Sequence, residues 1–380
     1  MRKLAHMIAT PEQIVDKFMR APHLRLTEAE AEVLLHAPDR SLMMEKLLGV
    51  HFFQHEKFVQ ALGHAKAVFE AERNSENAKN ISLILRKSGQ LQEAIDFARA
   101  HEDLFDPITF NDVLAMVYCQ LRDHDAAARH GTESLRLKDA AVQPAPEIAP
   151  VTHGFDPEKP EQNIIAFSLW GQDPRYLSGA QRNAIVARYL YPGWTARFYV
   201  DDSVPEGLVK ALIGQRAQVL RAPKQWPAGE YGLFWRFLVE DDPNVAIYMI
   251  RDADSVMNIK ERTAVEDWLA SGKAFHVMRD WPAHSELILA GMWGAHRGNL
   301  AGMAKRVGEH IRTEKKRLNN RTTDQIFLRE KIWPIVRQDV CMHDAWFDFG
   351  DPVRYRDEFR LPSNMHIGQN DAVHQARPRR

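Results

Sequence analysis

The sequence predicts an α/β domain, a Rossmann-like mixed sheet with flanking helices, preceded by an all-helical domain. Three observations carry this. Apolar runs rich in β-branched and aromatic residues alternate with helical patterns from residue 163 onward. The first 140 residues read as helix almost throughout. Between them lies a stretch rich in Pro and Ala, Ala140 to Pro150, with a second Pro-bearing stretch to Pro160. The expected division is a helical domain over 1–140, a linker over 141–160, the α/β domain over 161–370 and a polar tail over 371–380.

In the helical domain, Thr10-Pro11-Glu12 supplies an N-cap followed by Pro at the first helical position. Thr27 to Glu30 is a capping-box signature ahead of Val33, Leu34 and Leu35. From about residue 40 a repeat emerges. Ala61 and Ala65 align with Ala94 and Ala98, and Ala94 aligns with Ala128, 34 residues on; Gly89 matches Asp123. A period near 34 with small residues where helices cross resembles tetratricopeptide repeats. The resemblance implies a surface for a protein partner or acceptor; a helical cap on the second domain is the plainer alternative. His51, His55, His64 and His124 are scattered and read as surface residues.

In the α/β domain, Asn163 to Gly171 reads as a buried strand ending in a small turn, Gly179 to Tyr191 as an amphipathic helix, and Ala196 to Val200 as a second strand. Pro205 to Ile213 is helical, Gln218 to Arg221 a short strand, and Tyr231 to Glu240 a helix. Val245 to Arg251 is a strand closed by Asp252-Ala253-Asp254. Ala264 to Leu269 follows as helix, then strands over 274–280 and 287–295, a helix over 300–316, a helix opening at Thr323 and ended by Pro334, and a strand over 340–343. This alternation implies βαβ units and a largely parallel sheet.

Composition excludes several classes. Lys and Arg number 50 against 51 Asp and Glu, so no basic excess points to nucleic acid. No window holds 18 uninterrupted apolar residues, and the N-terminus lacks an apolar signal core. Cys119 and Cys341 fall in different domains with no metal spacing, which reads as two reduced structural thiols. The expectation is a cytoplasmic protein, at most peripheral to a membrane.

The chemistry centres on Asp252 and Asp254. If the strand stays extended, residues two apart share a side, so both carboxylates project together from its C-terminal end. That end is where open α/β sheets bind ligands. Convergent carboxylates repel unless a cation lies between them; Mg²⁺ or Mn²⁺ suits two hard oxygens and also takes substrate phosphates. A solvated turn is the plain alternative.

Residues 163 to about 370 resemble a GT-A-type glycosyltransferase, in the motif order of the glycogenin and galactosyltransferase type. The landmarks are an apolar first strand, Arg251-Asp252-Ala253-Asp254-Ser255, a glycine-bearing strand at Ala290-Gly291-Met292-Trp293-Gly294, an Asp-Gln pair at Asp324-Gln325, and a late His366 with Gly368. The resemblance implies a nucleoside-diphosphate sugar as donor, a glycan or other acceptor, and Mn²⁺ or Mg²⁺ on Asp252, Asp254 and His366. It also implies Asp324 and Gln325 beside the reacting sugar. Arg236, Arg251 and Arg279 are candidate diphosphate cations. Asp280 is a candidate for orienting hydroxyls or acting as base, and Trp281 and Trp293 for stacking a sugar. The chain departs from that family in carrying Arg251 before the acid pair and in lacking a Lys-Pro-Trp after Gly368.

Three rivals remain. A phosphatase of the haloacid-dehalogenase type puts its acid pair on the first strand, whereas three strands precede it here. A nucleotidyltransferase carries a glycine-rich phosphate loop that Leu169-Trp170-Gly171-Gln172 does not supply. A tetratricopeptide scaffold with a degenerate second domain needs no site at all.

Overall fold

The computed structural model describes residues 9–21, 24–314, 323–362 and 365–370. The tail expected over 371–380 and the end of the helix expected over 300–316 lie outside these. The chain forms two compact units, Met1–Ser134 and Leu135–Arg380. Among the described residues no helix is long and apolar enough to cross a membrane.

The first unit is helical: α1 (Pro11–Arg20), α2 (Glu28–Leu35), α3 (Leu42–Gln54), α4 (Phe58–Ala71), α5 (Ser75–Lys87), α6 (Leu91–Ala100), α7 (Pro107–Leu121) and most of α8 (His124–Ala141). Thr27 forms the expected capping box, and the N-cap Thr10 forms one as well, with Gln13. The repeat is there with a corrected period of 33. Ala61, Ala94 and Ala127 are the fully buried equivalents, so Ala128 is one residue out of phase. The turns agree: Glu56, Gly89 and Arg122, each 33 apart, take left-handed backbone with φ of 58°, 80° and 65°. At each turn the next N–H reaches back five residues, Lys57 to Phe52, Gln90 to Leu85 and Asp123 to Tyr118. The repeat is fixed by this helix C-cap, and only one of its three positions carries the glycine that makes it visible. His51 is buried, against expectation, and lies with His55 and Glu28 in one cluster.

The unit boundary falls inside α8 rather than in the Pro-rich stretch. The reason is packing within the second unit. Leu135 lies in its core, Lys138 Nζ donates to the Ser285 carbonyl at 2.6 Å, and Asp139 accepts from Trp333 Nε1 at 2.6 Å. The Pro-rich stretch is held there too, by Ile148 N–H on Gln338 and by Ala149 exchanging hydrogen bonds with Asn299.

The second unit is built on β1 (Asn163–Leu169), α9 (Pro174–Leu190), β2 (Thr195–Val200), α10 (Glu206–Gly214), β3 (Gln218–Arg221), α11 (Ala228–Tyr231), β4 (Ile247–Arg251), α12 (Ile259–Ser271), β5 (Phe275–Arg279), β6 (Met292–His296), α13 (Met303–Glu314), α14 (Thr323–Phe327), α15 (Trp333–Val336) and β7 (Val340–Asp344). The strands form a seven-stranded sheet in the order β3-β2-β1-β4-β6-β5-β7. β6 runs antiparallel to β4 and β5, and the other pairings are parallel. β1, β4, β5 and β6 are buried at every position, as strands covered on both faces must be.

Three local expectations change. Gly232–Asp241 is a 3₁₀ stretch rather than an α-helix. The strand expected over 287–295 begins only at Met292. Pro334 does not end its helix: a π-turn over Leu328–Ile332 precedes α15, so Pro334 falls in a first turn, where its missing N–H costs nothing.

Candidate functional site

The strand order reverses at β1. From β1 the chain moves outward through β2 and β3, then returns to place β4 on the other side of β1. The crevice at the carboxyl ends of such neighbours is the physical site for a ligand in an open α/β sheet. Asp252 and Asp254 lie there, at the end of β4.

The strand has already stopped at Arg251. Asp252, Ala253 and Asp254 form a turn, closed by Ser255 N–H on the Asp252 carbonyl at 3.3 Å. Strand alternation therefore does not bring the two acids together; the turn does. The Asp252 side chain is 41% exposed and that of Asp254 is 9% exposed.

Two glycines pack closely against this turn. A Cβ on Gly291 would lie 2.0 Å from Asp252 Oδ2, and one on Gly179 would lie 2.2 Å from the Ala253 carbonyl oxygen and 2.7 Å from Asp254 Cα. Buried Asn183 completes the clamp: Nδ2 donates to the Ala253 and Ser255 carbonyls, and Oδ1 accepts from Met257 N–H at 3.1 Å. Arg175, Gly179 and Asn183 are spaced four apart and share one face of α9. None of the three stood out in the sequence. The available signal was Asp173-Pro174, an N-cap with Pro at the first position, which starts α9 just beyond β1 and puts its first turn at the crevice.

Each acid meets a guanidinium. Arg175 Nε donates to Asp254 Oδ2 at 2.6 Å. Buried Arg236 bonds Asp252 through Nη1 and Asp324 through Nη2, the latter at 3.1 Å. Burial and then the like charge of Asp252 hold the Asp254 carboxyl above its usual range, against Arg175. Burial pushes the Asp324 carboxyl up to about 6; Arg236 opposes this and Asp252 adds to it. Arg236 stays charged because the two carboxylates outweigh its burial.

The other sequence candidates separate into those near the turn and those turned inward. Gln325 follows Asp324 on α14 and donates its N–H to Asp324 Oδ1. Arg251 points into the core, 2% exposed, with Nε on Glu261 at 2.6 Å and Nη1 on the Ile250 and Trp293 carbonyls. Arg279 is 1% exposed and bonds Asp344 at 2.7 Å and the Leu287 carbonyl at 2.8 Å. Both arginines are structural cations, which corrects the expectation that they meet a diphosphate. Asp280 is buried with both oxygens engaged, one by Lys260 Nζ and one by Ile367 N–H at 2.9 Å. It ties down the C-terminal segment, which then bridges Asn370 to Ser255 beside the acid turn.

His366 reaches the neighbourhood on that segment. Its Nδ1 donates to the Ile367 carbonyl at 2.8 Å, and its ring packs 4.9 Å from Trp281 and 4.9 Å from His284. Among the described residues it forms no three-ligand group with Asp252 and Asp254. Trp293 is fully buried against Phe237 and Tyr248, a core residue rather than a sugar platform. Beside Arg175, a shallow concavity of about 470 Å³ lies between α9 and α10, lined by Pro174, Leu177, Ser178, Gln181, Pro205 and Leu208. It does not include the acids.

No family profile matches the chain, and no curated protein matches it in sequence. Among solved structures it is similar to a mutant of the Thermobaculum terrenum O-GlcNAc transferase, at 17% identity and a TM-score of 0.40, over 64% of this chain and 47% of that one. It is also similar to MamA of AMB-1, at 21% identity and a TM-score of 0.29, over 34% of this chain and 73% of that one. The chain thus spans about half the length of the first, and likenesses this distant carry no argument about activity.

Proposed function

We propose that this chain is a metal-dependent glycosyltransferase whose GT-A-like second unit takes a sugar from a nucleoside-diphosphate donor and passes it to a glycan or other acceptor. The observation that carries the reading is the convergence of Asp252 and Asp254 at the carboxyl ends of β4 and β1, where the strand order reverses. The donor set suits a hard dication. Burial, and then the like charge of Asp252, hold the Asp254 carboxyl up, and Mg²⁺ or Mn²⁺ is commonly held by one or two carboxylates plus substrate phosphates. Such an ion, when bound, supplies charge neutralisation to a departing diphosphate.

The chain's own residues then divide the work. Asp252 and Asp254 hold the cation. Arg175, 42% exposed on its side chain, is free to swing from Asp254 to a donor phosphate through charge-assisted hydrogen bonds. Arg236 is fixed by burial and keeps Asp252 oriented. Asp324, 3% exposed, acts behind Arg236 as a positioning residue rather than at the sugar. The concavity between α9 and α10 is an apolar seat for the nucleoside next to Arg175. In this reading the helical repeats offer a surface for the acceptor or a protein partner.

One observation favours a second reading, a non-catalytic scaffold: Arg175 and Arg236 already neutralise both acids. Thermal unfolding with UDP, GDP, ADP and CDP, each with and without Mn²⁺, separates the two. A ligand that binds only the folded state raises the midpoint. A Mn²⁺-dependent rise with one nucleotide, lost in Asp252→Asn/Asp254→Asn, is expected of the transferase. No rise with any of them at millimolar ligand would sink it and leave the scaffold.

A further inference from the structure

We propose that His276, Cys341 and His343 form a buried zinc site, separate from the acid turn. β5 and β7 pair in parallel with His276 opposite Cys341, and His343 lies two residues on, on the same face. The three ligand atoms lie within 4.8 Å of one another. His276 Nε2 is 2.9 Å from His343 Nδ1, and Cys341 Sγ is 3.8 Å from that same nitrogen. All three residues are buried, at 0%, 5% and 0% exposure.

The geometry lies close to what zinc needs. Bonds of about 2.0–2.1 Å to nitrogen and about 2.3 Å to sulfur, at tetrahedral angles, separate two nitrogens by about 3.3 Å and a nitrogen from a sulfur by about 3.6 Å. The histidine pair must open by about 0.4 Å and the thiolate close by about 0.2 Å. Two imidazoles and a thiolate are a borderline-soft set, which suits zinc and excludes the hard ions drawn to Asp252 and Asp254.

The surroundings match an outer shell. Asp267 of α12 lies 3.5 Å from His343 Nε2, the nitrogen not aimed at the cluster, and is itself held by Arg356. A carboxylate on the far nitrogen fixes the tautomer that leaves Nδ1 as the ligand. Trp268, also on α12, stacks on the His276 ring at 5.2 Å and 16° and keeps it in plane. One thiolate and one carboxylate offset the dication, and Cys341 gives its thiol proton to solvent on binding. The ion would staple β5 to β7, with α12 joined to them through Asp267 beside His343. α12 begins five residues after Asp254, and β5 is followed by Asp280, so the staple braces the frame of the acid turn.

The test is a Co²⁺ titration of the full chain after exhaustive chelation, followed by Zn²⁺ displacement and a thermal scan. The expected result is saturation at about one equivalent, as a single three-residue site requires, with a near-ultraviolet thiolate-to-cobalt band. Zn²⁺ should abolish the band and raise the unfolding midpoint. Cys341→Ser should remove both effects, while Cys119→Ser and Asp252→Asn/Asp254→Asn should retain them. That last variant separates this site from failure of the transferase reading. Absence of the band in the folded wild-type chain, with no midpoint shift at micromolar free Zn²⁺, would overturn the proposal whatever the variants do. His276 and His343 would then be a neutral hydrogen-bonded pair in the core.

Discussion

Replacing Gly179 with alanine should disrupt the acid turn without touching a charged group. The new Cβ would lie 2.2 Å from the Ala253 carbonyl oxygen, 2.7 Å from Asp254 Cα and 3.1 Å from the Ala253 carbonyl carbon. Ordinary contact begins near 3.4 Å, so α9 or the turn must move by about 1 Å. All three neighbours are backbone, so no rotamer change relieves the clash. Overpacking of this kind costs about 1–3 kcal/mol. The same displacement at a reacting centre lowers turnover by about 10²-fold. Gly308→Ala is the matched control. It lies inside α13, and its nearest neighbour is the flexible Arg312 tip at 3.6 Å. Removing a mid-helix glycine there should stabilise by about 0.5–1 kcal/mol. Urea unfolding of both variants, with the nucleotide-and-Mn²⁺ midpoint shift as second readout, reads the contrast. If Gly179→Ala unfolds with the wild-type midpoint and keeps the nucleotide response, the close packing of α9 on the acid turn is refuted.

Two further outcomes follow from buried charge. Arg251→Met strands Glu261 in the core, at 2% exposure on either side of the pair; it should cost about 3–5 kcal/mol, and Arg251→Met/Glu261→Gln should recover part of that. A urea-derived loss below about 1 kcal/mol in the single variant would contradict the structural role given to Arg251. Stability should also level off between pH 4.5 and 6.5 and fall on either side. The Glu240 carboxyl is pushed up to about 7, chiefly by burial, from an ordinary 4.5. Its folded form therefore holds a proton more tightly than its unfolded form, and stability present below 4.5 is lost as pH rises through 7. His284 has the opposite sign. Burial, with His366 adding, lowers it to about 3 from 6.5, so its contribution is present above 6.5 and is lost as pH falls toward 3. Glu240→Gln should remove the loss of about 3 kcal/mol between pH 4.5 and 7 and leave the His284 loss below 6.5 in place. An unchanged slope between pH 4.5 and 7 in pH-dependent urea titrations would remove Glu240 from the account.

The acid pair was legible because a strand that ends in two carboxylates is a local feature, and its location followed from counting strands. Gly291 stood out as part of a glycine-bearing strand, and the structure supplies what approaches it, the Asp252 carboxylate. The arginines were not legible. Arg236, Arg251 and Arg279 look alike in sequence, yet one reaches Asp252 while the others pair with Glu261 and Asp344. Which acid faces a guanidinium depends on partners 10 to 88 residues away along the chain.

By itself, the sequence determined the two-part architecture, most of the strands and helices, a repeat near 34 and an acid pair at the end of a strand, because hydrophobic periodicity, caps and turn residues act over a few residues. The tertiary structure alone decided the single antiparallel strand, the α9 face that clamps the turn, the burial of Asp324 behind Arg236, and the meeting of His276 with Cys341 and His343. These rest on register between strands and on helix-to-sheet packing. Such contacts join residues far apart in the chain, and no local pattern encodes them.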